Sequence, residues 1–223
     1  AAGAIGAKYL ARADSRNLVL VGSGGQALFQ IAAMRTLFPG LRKITVVNVR
    51  TPDHAARFTA ALPQMLADQF GLDLAGVTLA PSGDLEAALS DADIVVTVTP
   101  SKTPLVQKDW VRPGTHLSCM GADMAGKQEV ESALLAGARI FVDDLEHCIS
   151  AGEIEIPLKQ GVISQGDIAG EIGDLILGKV PGRQREDEIT VYDSTGMALL
   201  DIAAAKAALA LAEEKNLGTV VTL

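Results

Sequence analysis

The stretch Val21-Gly22-Ser23-Gly24-Gly25-Gln26-Ala27 constrains this chain more than any other. It follows a short apolar run, Asn17 to Val21, and opens a segment, Gln26 to Leu37, whose apolar residues recur at helical spacing. A strand that enters a glycine turn and opens a helix gathers unpaired N–H groups and the positive end of a helix dipole at one spot, which stabilises an anion. In the pattern G-x-G-x-x-A, Gly22 permits the tight turn, Gly24 lets backbone approach a pyrophosphate, and Ala27 lets helix and strand pack closely. A glycine triplet alone is weak evidence, so the strand and helix around it carry most of the weight. Gly22, Ser23, Gly24, Gly25, Gln26 and Ala27 are therefore candidates to hold a dinucleotide.

The rest of the chain extends the same pattern. Pro39-Gly40 ends the helix, Lys43 to Val49 forms a second β-branched run, and Pro52 opens another helix to about Phe70. Further strands are expected at Val77 to Ala80, Ile94 to Thr99, His116 to Met120 and Ile140 to Val142, with a short helix at Leu85 to Leu89. Strands and helices alternating at this spacing predict an α/β fold, a doubly wound parallel sheet with helices on both faces. After Asp144, glycines punctuate short helical pieces before one more strand, Glu188 to Tyr192, and an alanine-rich helix from Gly196 to Lys215. Residues 16–187 read as the nucleotide-binding domain. The helix in residues 1–15 and the segment 188–223 lie outside the alternation and are assigned to a second domain.

Composition narrows the function classes. The 223 residues suffice for a sizeable core, and the net charge of -8 is spread without a basic block, which argues against a nucleic-acid partner. The apolar runs are too short to span a membrane, and the N-terminus lacks the layout of a signal peptide. Cys119 and Cys148 show no CxxC spacing, so a reduced, cytoplasmic setting is expected. His54, His116 and His147 share no metal-ligand spacing, and no metal is assigned; His116, on a strand, reads as core or cofactor-adjacent.

Four further segments carry candidate chemistry. At the end of the second strand a NAD-binding fold usually carries Asp or Glu for the adenosine ribose, and this chain carries Asn48-Val49-Arg50-Thr51. A carboxylate there would repel a 2′-phosphate, whereas Arg50 and Thr51 bind one through charge and a hydroxyl, so NADP(H) is favoured and NAD(H) is the alternative. Thr97, Thr99 and Ser101 follow the fourth strand, where ligands sit in open α/β sheets; the alternative is that they satisfy local backbone. Met120 and Gly121 border the same crevice. Beside them Asp123, between apolar neighbours at a strand end, is a candidate proton shuttle with a raised pKa, or else the cap of a short helix that follows. Ser194 and Gly196 either approach a nicotinamide or belong to the cap of the last helix, and spacing does not choose.

The glycine turn, Gly121-Ala-Asp-Met-Ala-Gly-Lys-Gln-Glu129, Val142-Asp-Asp-Leu-Glu146, Gly152-Glu153 and Asp193-Ser-Thr-Gly-Met-Ala198 followed by Asp201 occur in that order. Together they resemble the ornithine cyclodeaminase/μ-crystallin family over essentially the whole chain. The resemblance implies a homodimer with a Rossmann domain and a second domain that supplies the substrate pocket and dimer interface. It also implies hydride transfer between a nicotinamide and the α-carbon of a small imino or amino acid. Asp123 falls on the family's general acid/base near the substrate nitrogen. Gly-Ala-Asp-Met-Ala-Gly-Lys-Gln-Glu is nearer to the family's dehydrogenases and reductases (ketimine, Δ1-pyrroline-2-carboxylate or alanine dehydrogenase type) than to its cyclodeaminases. An ornithine cyclodeaminase and a non-catalytic dinucleotide-binding protein are the other readings. The basic residues that hold the substrate carboxylate in this family lie on a segment that precedes the helix opening this chain, and they are not in this sequence.

Overall fold

The structure is a computed structural model and describes residues 2–219. The chain runs through α1 (Ala2–Leu10), β1 (Asn17–Val21), α2 (Ala27–Leu37), β2 (Lys43–Val47), α3 (Pro52–Phe70) and β3 (Thr78–Ser82). It continues through α4 (Leu85–Leu89), β4 (Ile94–Thr97), β5 (His116–Cys119), α5 (Ser132–Leu135) and β6 (Arg139–Val142). The last elements are α6 (Leu145–Ala151), α7 (Glu155–Lys159), β7 (Ile168–Glu171), α8 (Ile172–Ile176), β8 (Thr190–Asp193) and α9 (Ala198–Glu214). The eight strands form one sheet in the order β3-β2-β1-β4-β5-β8-β6-β7, and every pairing is parallel.

Strand parity sorts the core into two layers. Leu18 and Leu20 of β1, Ile44 and Val46 of β2, and Ile94 and Val96 of β4 share one face with Ile31 and Met34 of α2 and Leu62 and Leu66 of α3. Val19, Val21, Val95 and Leu117 point the other way, against Leu85 and Leu89 of α4, Leu134 of α5 and Cys148 of α6. Because both faces are covered, β1 and β4 are nearly continuous apolar runs, Leu18 to Val21 and Ile94 to Val96. β1 pairs with β2 on one side and β4 on the other, so the order of connections reverses beside β1. That reversal opens a crevice at the carboxyl ends of β1 and β4.

The N-terminal helix packs on the sheet. α1 lies across β5 and β8, and a Cβ at Gly6 would stand 2.7 Å from Tyr192 Cβ, so only glycine allows this approach. Ser118 Oγ donates to Gly3 O at 2.8 Å, and His116 bridges Ser118 and Thr190 at 3.0 and 2.9 Å. Burial, aided by the Arg183 charge, lowers the His116 pKa to about 3, so the ring is neutral and serves as a core residue.

Several boundaries differ from the sequence reading. The second strand ends at Val47, because Asn48 Oδ1 accepts from the N–H groups of Arg50 and Thr51 and turns the chain. The fourth and fifth strands end at Thr97 and Cys119, before the residues expected. β3 runs through Pro81, which an edge strand tolerates. β7 was not expected; its short sequence Ile-Ala-Gly-Glu has no alternation, and Gly170 sits where the register with β6 shifts. The sheet also continues past residue 187, since β8 lies between β5 and β6.

Candidate functional site

A cavity of about 370 Å³ lies at the carboxyl ends of β1, β2 and β4. Gly22, Ser23 and Gly24 form one wall, Asn48, Arg50, Thr51 and His54 a second, and Thr99, Pro100 and Ser101 a third. Its volume is within the range of small-molecule sites. No Asp or Glu lines it, and Arg50 supplies a positive charge. Gly22 has φ +108°, and a Cβ there would stand 2.8 Å from Val98 O, so the protein's own backbone requires glycine at this turn. Gly24 and Gly25 differ: nothing lies within 4 Å of where their Cβ atoms would be. Their smallness leaves open space at the mouth of α2 and serves no internal packing. Gln26, at the N-cap of α2, makes no side-chain cap bond, so no side chain competes there for the first-turn N–H groups. Ala27 is fully buried and seats α2 against β1. The donor set, the charge and the open glycines fit a phosphate-bearing ligand such as the expected dinucleotide.

A hydrogen-bond chain organises the Arg50 side. With Asn48 Oδ1 already accepting from backbone, its Nδ2 donates to Ser23 Oγ at 3.0 Å. The Ser23 hydroxyl in turn meets His54 Nδ1 at 2.7 Å. The glycine turn, the end of β2 and the start of α3 are thus tied together. His54 was not among the expected site residues; nothing in the sequence shows that the first turn of α3 faces Ser23.

The remaining candidates form a second group over β4, β5, β6 and β8, built around buried carboxylates. Thr97 is fully buried and spends its hydroxyl on Glu129 at 2.7 Å, so it does not line the cavity. Glu129 also accepts from Thr99 N at 2.6 Å and Gly121 N at 2.8 Å. It thereby joins the loop after β4 to the loop after β5. Beneath it Glu153 accepts from the N–H groups of Glu129 and Val130. Burial drives the pKa of both glutamates upward, with their mutual repulsion adding to the rise at Glu153. Met120 packs beside Gly3, within contact of α1. Ser101 Oγ donates to Thr103 O, so its hydroxyl serves the loop itself.

Asp143 gathers the segment after β8. It accepts from Ser194 Oγ at 2.9 Å and Gly196 N at 2.8 Å, and from Thr195 Oγ1 at 3.3 Å. These hydroxyls do not cap α9, whose N-cap is Met197 and has no side-chain bond. Ser194 and Gly196 are thus fixed by Asp143 and lie apart from the cavity walls. Asp123 departs from its expected setting. It is half-exposed and pairs with Lys127, four residues on, instead of sitting among apolar side chains. No helix begins at it, so it is no cap either; the next helix, α5, starts at Ser132 behind Glu131. Its carboxylate stands on the same sheet end as the cavity, on the loop that Glu129 anchors through Gly121.

Residues 1–216 match the model of the ornithine cyclodeaminase/mu-crystallin family. Alanine dehydrogenase of Archaeoglobus fulgidus is 38% identical over 219 residues, which is 98% of this chain and 64% of that protein. An archaeal alanine dehydrogenase dimer with bound NAD superposes with a TM-score of 0.88 at 38% identity, covering 100% of this chain and 65% of that one. The Δ1-pyrroline-2-carboxylate reductase of Thermococcus litoralis, in complex with NADH and L-proline, superposes with a TM-score of 0.89 at 30% identity, over 99% of this chain and 65% of that one. This chain therefore spans about 64% of the length of such relatives. Among the described residues no helix is long and apolar enough to cross a membrane.

Proposed function

The chain belongs to the ornithine cyclodeaminase/mu-crystallin family, and from that premise we propose that it binds NADP(H) and serves hydride transfer to an imino acid. The observation that carries this reading is the carboxylate-free cavity at the ends of β1, β2 and β4, with its open glycines and Arg50. In its relatives this fold accompanies alanine dehydrogenase and Δ1-pyrroline-2-carboxylate reductase activity. A nicotinamide bound there would supply or accept the hydride. Gly22 to Ala27 and the start of α2 would hold the pyrophosphate, while Arg50 and Thr51 would hold the 2′-phosphate. The protonated Asp123 carboxyl would pass its proton to the substrate nitrogen, and Lys127, its ion-pair partner, would steady the carboxylate left behind. Glu129 positions the loop that carries Asp123.

In this reading the segment after the sheet belongs to a second, substrate and dimerisation domain, and residues 1–15, whose helix α1 packs on the sheet, form the link to it. α9 supports that assignment, because it buries none of its residues and leaves Leu199, Ile202 and Leu209 more than 60% exposed. The dimeric state of the archaeal relative supports a homodimer.

The test is NADPH oxidation by the protein with Δ1-pyrroline-2-carboxylate, or with pyruvate or glyoxylate plus an amine. Turnover that Asp123→Asn lowers by about 100-fold or more, with cofactor binding retained, is expected of a general acid. No turnover across the panel overturns the reading, and proline formed from ornithine without net cofactor consumption identifies a cyclodeaminase instead.

A further inference from the structure

We infer that His54 is a specificity-determining residue for the adenosine 2′-group, an inference that rests on the NADP(H) reading above. Asn48 Oδ1 accepts two backbone N–H groups, which fixes the amide so that Nδ2 is the donor toward Ser23 Oγ. Ser23 Oγ meets His54 Nδ1 at 2.7 Å, and when the serine hydrogen is turned toward that nitrogen Nδ1 is the acceptor. A neutral imidazole with an accepting Nδ1 carries its proton on Nε2. That Nε2–H has no partner in the protein among the described residues, and His54 lines the cavity beside Arg50 and Thr51.

The lining decides which ligand this donor serves. A ribose diol is ordinarily held by a carboxylate, which accepts its hydroxyl hydrogens. This cavity has no carboxylate; it offers the Arg50 guanidinium, the Thr51 hydroxyl and the His54 N–H. Donors without an acid are what a phosphate ester requires. The charged residues nearest His54 in sequence are Arg50 before α3 and Asp53 and Arg57 on α3. Of these only Arg50 reaches the cavity wall.

The experiment is isothermal titration calorimetry of the 223-residue chain with NADPH and with NADH, for the wild type, His54→Ala and His54→Gln. Losing a hydrogen bond to a charged group predicts about tenfold weaker NADPH binding for His54→Ala. NADH binding is expected to change less than about twofold, since the energy lost belongs to the phosphate. Gln places an amide N–H near the position of Nε2, so His54→Gln is expected to recover most of the NADPH affinity. Equal weakening of both dinucleotides overturns the inference, because His54 would then only prop the glycine turn through Ser23. An unchanged NADPH affinity overturns it as well. Tighter wild-type binding of NADH overturns the NADP(H) reading by itself, since the role of His54 is read from how the ratio changes between variants.

Discussion

Asp193 gives the fold a pH dependence of known sign. It ends β8 fully buried; Oδ2 accepts from Ile154 N at 3.1 Å, and Oδ1 has no partner. Burial, and then the neighbouring Asp143 charge, raise its pKa from 3.8 to about 7. A carboxyl whose folded pKa lies above its unfolded value binds its proton more tightly when folded. Its favourable contribution is therefore complete below pH 3.8 and is lost as pH rises through about 7. The full span corresponds to about 4 kcal/mol, of which roughly 2–3 kcal/mol falls between pH 5 and 8. For a domain of this size that is a fall in Tm of about 5–10 °C. Asp193→Asn keeps an oxygen for Ile154 N–H and removes the titration. Thermal unfolding followed by circular dichroism, at constant ionic strength from pH 5 to 8, compares the two proteins. Glu129 and Glu153 titrate in both and contribute to both profiles. The variant is expected to have the flatter profile by that amount, whatever its absolute Tm. Parallel profiles would refute the assignment of a buried, titrating carboxyl to Asp193.

Three other perturbations probe separate parts of the fold. Gly22→Ala places a Cβ 2.8 Å from Val98 O at φ +108°, which costs about 2–4 kcal/mol of stability and weakens dinucleotide binding, read by denaturant unfolding and calorimetry. Glu129→Ala strips partners from the Thr97 hydroxyl and the amides of Thr99 and Gly121; those two amides are expected to lose hydrogen-exchange protection while Leu18 to Val21 retain theirs. Gly6→Ala drives a methyl into the Tyr192 ring and pries α1 from the sheet, with a loss of about 1–3 kcal/mol in denaturant unfolding.

Much of this protein is determined by local sequence. The run from Asn17 to Val21 followed by the glycine turn specifies strand, turn and helix through interactions within a few residues, and β1, α3 and α4 occupy the expected positions. The absence of a carboxylate at Asn48 to Thr51 is likewise readable, because the second strand of such a unit ends beside the first. Strand ends were less legible. Asn48 stops β2 with side-chain bonds to backbone, and Thr99 leaves the sheet to donate to Glu129, thirty residues away.

Tertiary structure decided the rest, for the same reason in each case: the partners are distant in sequence. Thr97, taken from its spacing as a cavity residue, serves Glu129, and Ser194 serves Asp143 fifty-one residues away. His54 looks like a scattered histidine until α3 brings it to Ser23. Asp123 stands beside Lys127 and not in an apolar pocket, because the loop after β5 turns outward while Glu129 holds its base. A side chain's type is set by the sequence, but its availability to a ligand depends on whether the fold has already consumed its hydrogen bonds.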